Sequence, residues 1–375
     1  MIKIVHITTG LGTGGAEMML YKLVSGSDRQ RFSHIVISMT DKGTLGGKMK
    51  ALGVPVYTLD MKRSIPSLAA MLRLSRVIRT IQPDVIQGWM YHGNLLSLIA
   101  SKLTNRRVSV MWNIRQSLYS LSYEKRLTRL IIKCGALMSG QVTRILYNSA
   151  TSSKHHKAFG YRDDKSIVIP NGFDINSFAP SAEGSRTIRA SLGVSADTLL
   201  ICLIGRYHPM KDHSTFLKAA SLLLAKNIEA QFVLAGKGIY AHNVPLQAEI
   251  EKLGITKRTH LLGERSDIPQ LMAAVDIAVS SSYNEGFPNV VGEAMSCAIP
   301  CVVTDVGDSA MIVGDSGIVV PPRDPKALSD ALYDLASMGS EQRRYLGQKA
   351  RNRICENFSL ESVVKRYEAL FEQLV

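Results

Sequence analysis

The run Lys3-Ile4-Val5-His6-Ile7-Thr8 leads into Gly10-Leu11-Gly12-Thr13-Gly14-Gly15-Ala16-Glu17, and a helical period follows. A short, continuously apolar run is the mark of a strand buried on both faces, as in a parallel sheet. Glycines between such a strand and a helix let backbone N–H groups approach an anion at the positive helix end. The stretch contains G-x-G-x-x-G at 10–15, with Asp41 after the second strand as a possible ribose partner. A tight turn without a ligand would use the same residues. The loop alone does not separate a dinucleotide from a nucleotide sugar.

The same alternation recurs along all 375 residues, more chain than one core of roughly 250–300 residues organises. Strands are expected at 3–8, 34–39, 84–87, 108–112, 144–147 and 166–169, then at 199–204, 231–235, 259–262, 276–280, 300–303 and 317–320. Helical periods lie between them, for example 16–25, 67–81 and 214–226. Two series of six strands predict two doubly wound α/β domains with parallel sheets, joined in the turn-rich stretch Pro170–Gly184. Ligands in such sheets bind beyond the carboxyl ends of the strands, and two such sheets facing each other would enclose a cleft.

Charge divides the chain along the same seam. Residues 1–170 carry 25 Lys and Arg against 8 Asp and Glu, an excess of 17; residues 171–375 carry 20 against 23, a deficit of 3. The five cysteines are odd in number and form no CxxC pair, which argues against a disulfide framework or zinc site and fits a reducing cytosol. The N-terminus enters a strand directly, without the apolar region of a signal peptide. No apolar stretch reaches the ~18 residues needed to span a bilayer. A soluble or peripheral protein is expected.

Three segments of the second half point to chemistry. Gly205-Arg206-Tyr207-His208-Pro209-Met210-Lys211-Asp212 puts two cations at a strand's carboxyl end, where a diphosphate would sit. In Asn284-Glu285-Gly286-Phe287-Pro288-Asn289-Val290-Val291-Gly292-Glu293, a helix starts near Pro288–Asn289. Its first amides, near Val290, suit phosphate. Glu285 in the loop suits sugar hydroxyls, and Glu293 in the early helix suits a ribose diol. Gly236, in Ala235-Gly236-Lys237-Gly238, and Arg265, after Gly263, follow strands; they either shape a nucleobase pocket or turn the chain.

Glu285 and Glu293, separated by seven residues, match the E-x7-E motif of retaining glycosyltransferases. With GGAE at 14–17, GRYHPMKD at 205–212 and IPNGFD at 169–174, the whole chain resembles glycosyltransferase family four. The resemblance implies the GT-B fold: two facing Rossmann-like domains with an interdomain cleft. An acceptor domain, 1–170, would take back the final helix at 361–375, and a donor domain would span 171–360. It also implies that Arg206 and Lys211 neutralise the leaving diphosphate. Glu285 and the backbone of Gly286, Phe287 and Asn289 would hold the transferred sugar, with Val290 at the phosphate and Glu293 at the ribose. Gly14 and Gly15 would close over the phosphate. With no D-x-D triplet, the cations rather than a metal are expected to supply the electrostatic term, and no cofactor is expected beyond the nucleotide sugar, a UDP-sugar being favoured.

Many relatives carry a histidine after the fourth strand; the corresponding run here is Trp112-Asn113-Ile114-Arg115-Gln116-Ser117. Asn113 and Arg115 are candidates for its hydrogen bonding, but neither is a base near neutral pH. His92, beside Asn94 after the third expected strand, is the candidate to meet the acceptor. His155 and His156 read as a pair on an exposed basic stretch.

The basic half groups its cations on helices: Arg73, Arg76 and Arg79; Lys102, Arg106 and Arg107; Lys125, Arg126, Arg129 and Lys133, the last set beside several leucines. A cationic side next to an apolar side suits an anionic membrane surface; the commoner alternative is a core-facing apolar side with solvated cations. Aromatics interleaved with the cations, as nucleic acid would need, are absent. The expectation is a cytoplasmic hexosyltransferase, peripheral on the inner membrane face and extending a lipid-linked saccharide. A soluble small-molecule acceptor and an NAD-dependent oxidoreductase are the rivals.

Overall fold

The computed structural model describes residues 1–62 and 67–375, apart from the side chain of Tyr123. The chain divides into two compact units: unit 1 is Met1–Gly172 with Leu360–Val375, and unit 2 is Phe173–Ser359.

Unit 1 is built on seven parallel strands: β1 (Ile2–Thr8), β2 (Phe32–Ser38), β3 (Val56–Thr58), β4 (Val85–Trp89), β5 (Ser109–Ile114), β6 (Arg144–Tyr147) and β7 (Ser166–Val168). Their order is β3-β2-β1-β4-β5-β6-β7. Helices α1 (Gly15–Gly26), α2 (Gly43–Ala51), α3 (Leu68–Ile81), α4 (Met90–Ser101), α5 (Arg126–Met138) and α6 (Ala150–Ala158) make the crossovers. Alternate strand residues feed different cores, as a pleat of period two requires. Ile4, Val36 and Val85 pack with Leu20 and Leu23 of α1 and Met49 of α2. Val5, Ile37 and Ile86 pack with Leu74 and Ile78 of α3 and Leu96 of α4. The order reverses at β1, which pairs with both β2 and β4; ligands of doubly wound sheets settle at the carboxyl ends of such strands.

The strand count corrects the sequence expectation of six per series. The additional strand, β3, has three residues at the sheet edge, with Tyr57 exposed and only Val56 buried, so it lacks the apolar run that marks its neighbours. Strand β5 also continues past Trp112. It takes Asn113 and Ile114 out of the expected loop and into the sheet, paired with Leu146 and Tyr147.

Unit 2 carries six parallel strands: β8 (Leu199–Ile204), β9 (Ala230–Ala235), β10 (Thr259–Leu261), β11 (Ile277–Ser280), β12 (Cys301–Thr304) and β13 (Gly317–Val320), ordered β10-β9-β8-β11-β12-β13. Its helices are α7 (Ala182–Leu192), α8 (His213–Ala225), α9 (Val244–Lys252), α10 (Ile268–Ala274), α11 (Asn289–Ser296), α12 (Ser309–Val313), α13 (Pro325–Ser337) and α14 (Ser340–Asn357). Phe173, Leu200, Val233, Ala294 and Met295 share one core, and Ile201, Phe216, Phe232 and Leu332 another.

The last helix, α15 (Leu360–Gln373), sets Val363, Val364, Tyr367, Leu370 and Phe371 into the core of unit 1. Each large side chain fully buried there contributes about 1.5–3 kcal/mol. Glu368 fixes its rotation, accepting from Ser27 Oγ at 2.8 Å and from the Asp28 amide at 2.7 Å, just past α1. Among the described residues, no helix is long and apolar enough to cross a membrane.

Candidate functional site

Strands β8 and β11 are neighbours in the sheet of unit 2, so the loops after them emerge side by side. In the first, a short 3-10 turn over Pro209–Lys211 ends at Asp212, whose backbone is left-handed (φ 50°) and whose carboxylate caps α8 by accepting from Thr215 N at 3.3 Å and Oγ1 at 2.7 Å. In the second, Ser281 Oγ donates to the carbonyls of Lys211 and Asp212, both at 3.0 Å, and the Tyr283 amide donates to Met210 O at 3.0 Å. The loops are thus stitched by backbone and serine contacts before any charge is counted.

The charges then meet. Lys211 Nζ is paired with Glu285 Oε1, and Ser282 Oγ donates to the same oxygen at 2.8 Å. Both ionic side chains are mostly sheltered, Lys211 exposing 25% and Glu285 15%. Low dielectric strengthens such a pair and makes loss of one partner costly. Arg206 is exposed and makes no ion pair among the described residues. Partial burial first, then the charges of Arg206 and Lys211, hold the His208 imidazole below its ordinary pKa.

Gly236 closes the neighbouring strand ends. Its amide donates to Gly263 O at 2.7 Å, and Gly205 N donates to Ala235 O at 2.8 Å. Gly236 has φ +143°, and a Cβ would lie 2.2 Å from Gly205 O; only glycine fits. Gly307 (φ +58°) serves the other side, where a Cβ would come 2.5 Å from Glu285 O; there the Asp308 amide donates to Gly286 O at 3.0 Å.

Helix α11 begins after Pro288 without a side-chain cap, so its first amides offer an anion-binding end. Asn289 is exposed, while Val290 and Glu293 are half-buried. Phe287 turns inward: its ring stacks on Phe173 at 6.0 Å between centroids, so only its backbone is available to a ligand. Phe173 also lies where a Cβ on Gly292 would stand, 2.1 Å away, which seats α11 flat on this core. Arg265 is engaged locally, its Nε donating to Asp267 Oδ1 at 2.7 Å. Among the described residues, no group of three or more His, Cys, Asp or Glu side chains is placed to hold a metal.

In unit 1, Gly14 precedes α1 and Gly15 opens it, both exposed and with no side-chain cap on the helix. Asp41, the ribose partner that a dinucleotide reading needs, accepts from the Gly43 amide at 2.9 Å. His92 is half-buried in the first turn of α4, and burial lowers its pKa. Asn94 is buried, accepts from the Asn113 amide at 3.2 Å and leaves its Nδ2 without a partner among the described residues. Asn113 and Arg115 face the last helix. Asn113 Nδ2 donates to the Tyr367 hydroxyl at 3.1 Å and Arg115 Nη1 does so at 2.8 Å, while Arg115 Nη2 binds Asn171 and its guanidinium lies over Trp89 at 5.7 Å. His156 corrects the exposed reading of 155–156. It is fully buried and bonded to Tyr91 Oη at 2.9 Å and Ser152 O at 2.8 Å.

The contributions of Ser281 and Ser282 were not read from the sequence. Their signal was three serines in a row, Ser280–Ser282, buried at a strand's carboxyl end, where isolated apolar residues would pack as well.

The chain is similar to known proteins along most of its length. Residues 13–177 match the family model Glycosyltransferase Family 4, and residues 184–353 match Glycosyl transferases group 1. The chain belongs to glycosyltransferase family four. The glycosyltransferase is 23% identical over 337 residues to the UDP-Gal:alpha-D-GlcNAc-diphosphoundecaprenol alpha-1,3-galactosyltransferase of Escherichia coli, covering 88% of this chain and 86% of that one. It is 25% identical over 313 residues to the putative glycosyltransferase EpsF of Bacillus subtilis (81% and 79% covered). Its fold is that of Anabaena Alr3699/HepE, solved in complex with UDP, at a TM-score of 0.85 and 23% identity over 99% of this chain and 100% of that one. Two parallel-sheet α/β domains of this kind constitute the GT-B fold.

Proposed function

We propose that this glycosyltransferase moves a hexose or N-acetylhexosamine from a UDP-sugar, with retention of configuration, to a lipid-linked saccharide at the cytoplasmic face of the membrane. The observation that carries the donor half is the Lys211–Glu285 pair held by Ser282 on adjacent strand-end loops. Lys211 and Arg206 offset the charge that develops on the diphosphate as it leaves. Glu285 orients the hydroxyls of the transferred sugar, Glu293 takes the ribose diol, and the first amides of α11 take phosphate. Backbone amides at Gly14 and Gly15 are assigned a further phosphate contact.

The bond from the anomeric carbon to the diphosphate oxygen breaks with its electron pair going to that oxygen. The acceptor hydroxyl attacks on the face the diphosphate leaves, and its proton passes to a leaving phosphate oxygen. His92, in the first turn of α4, is assigned to the acceptor. The cations Arg206 and Lys211 are proposed to do electrostatically what a divalent ion does in other transferases, so activity is expected to survive EDTA. A lipid-linked acceptor is supported by the diphosphoundecaprenol acceptor in the E. coli relative's name and by the excess positive charge of residues 1–170.

The test is hydrolysis and binding of UDP-, GDP- and ADP-sugars by the wild-type chain and Glu285→Gln, each with and without EDTA. UDP-sugar turnover that collapses in the variant supports the proposal. If no nucleotide sugar is bound or turned over, it fails.

A further inference from the structure

Helix α5 wears leucines where a surface helix has no core to meet. Leu127, Leu130 and Leu137 are 47%, 58% and 87% exposed and recur at i, i+3 and i+10. The buried residues of the helix are Ile132 and Gly135, and Gly135 sits so close to Tyr161 that a Cβ would be 2.4 Å from its hydroxyl. At 3.6 residues per turn these buried positions lie on the side opposite the leucines. The stripe therefore points straight out from the sheet.

Its electrostatic setting is one-sided. Lys125, Arg126 and Lys133 flank it, exposed, and none forms an ion pair among the described residues. The one carboxylate between residues 118 and 138, Glu124, accepts from Gln116 Nε2 at 2.9 Å. Helix α3 repeats the pattern: Leu68 and Leu72 are 79% and 60% exposed, and Arg76 and Arg79 make no ion pair among the described residues, whereas Leu74 and Ile78 are buried. Helix α4 packs against both, which puts the two stripes on one helical layer.

Resting on the reading of a lipid-linked acceptor, we infer that the outer face of α5, extended by α3, docks on an anionic lipid bilayer, its leucines entering the headgroup region and its unpaired cations meeting lipid phosphates. Exposed apolar side chains rimmed by cations are what an interfacial helix presents. The positive excess spreads over residues 1–170 and is not confined to the stripe. It therefore complements an extended negative plane better than the bounded patch of a protein partner. In this pose α4, with His92 in its first turn, flanks the bilayer-bound helix, close to where a membrane-tethered diphosphate would emerge.

The experiment is flotation of the full chain with vesicles of phosphatidylcholine alone and of phosphatidylcholine mixed with phosphatidylglycerol, at low and high salt. Wild type should float with the anionic vesicles only, release at high salt, and lose roughly tenfold in partitioning in the L130S/L137S double variant. These positions are exposed, so the variant's thermal melt should match wild type. Leu137→Trp supplies an independent readout, because both native indoles, Trp89 and Trp112, are fully buried. Its emission should shift to the blue and be quenched by brominated lipid on vesicle addition. Failure of wild type to float with anionic vesicles overturns the inference, as does unchanged partitioning of L130S/L137S. So does a wild-type dimer that the same variant converts to monomer without vesicle binding. UDP-sugar hydrolysis, measured on the same preparations, reads the proposed function separately and should not change in the variant.

Discussion

Lys211 and Glu285, 74 residues apart in sequence, are ion-paired on neighbouring loops, with Ser282 sharing the Glu285 oxygen. Each holds the other in a sheltered position where a lone charge would be costly. Glu285→Gln keeps the shape and the Ser282 contact while removing the charge. Its UDP-sugar turnover is expected to fall by roughly two to three orders of magnitude, with an unchanged circular dichroism spectrum. Ser282→Ala should act through Glu285 and cost much less, about tenfold or under, seen in kcat more than in KM.

Gly236→Ala tests the cradle at the strand ends. The new methyl group would stand 2.2 Å from Gly205 O at a φ of +143°, so the loop must shift. A loss of at least ~2 kcal/mol is expected, or roughly 4–8 °C in the melting temperature of unit 2. Donor affinity should fall with it; a melt equal to wild type would contradict the geometry.

A buried histidine pair, together with buried His156, makes unit 1 sensitive to acid. Trp89 Nε1 donates to His6 Nδ1 at 3.2 Å, which leaves the His6 proton on Nε2, directed at His34 Nδ1 2.9 Å away. Burial is the main cause that holds His6 well below its ordinary pKa and brings His34 down to about 4. The unfolded chain takes up these protons near pH 6.5, the folded chain only far lower. Stability is therefore full above pH 6.5 and falls as pH drops toward 4, by up to about 1.4 kcal/mol per pH unit for each group. Thermal melts from pH 7 to 4 should show this slope, and His34→Gln should make it shallower.

Tyr367→Phe separates anchoring from catalysis at Arg115. The hydroxyl accepts from both Asn113 and Arg115; its removal leaves a buried guanidinium short of an acceptor, at a cost of about 1–3 kcal/mol. Urea unfolding should show the loss, and proteolysis should release α15 sooner, while KM for the acceptor stays as it was. A raised acceptor KM with unchanged stability would instead put Arg115 at the substrate.

What could be read from the sequence was the set of interactions that neighbours along the chain decide. The strand runs, the glycine turns and the helix beginning at Asn289 all declare themselves within a few residues. Asn113 does not: this polar residue, the last but one of β5, is satisfied in the sheet by Tyr367, 254 positions later, which accepts from its side-chain amide, and by Arg115, which donates to its side-chain carbonyl oxygen. His156 misled for the same reason, since Tyr91 and Ser152 satisfy it out of solvent. Ser282, which supports Glu285, and Ser281, which ties the Lys211–Asp212 backbone, look like any polar loop until the adjacency of β8 and β11 makes them a clamp. The leucines of α5 were visible as residues, but which side of the helix meets the core was not.

The place of α15 in the core of unit 1 bears on the order in which the protein is made. Everything that unit 2 needs, Phe173–Ser359, has been synthesised before the stretch that completes unit 1, Leu360–Val375. Until then Ile4, Leu20 and Val36 lack the Tyr367 and Phe371 rings that cover them. The half begun first is finished last, so a chain released before residue 360 would contain every residue of the second unit and still leave an open apolar seam in the first.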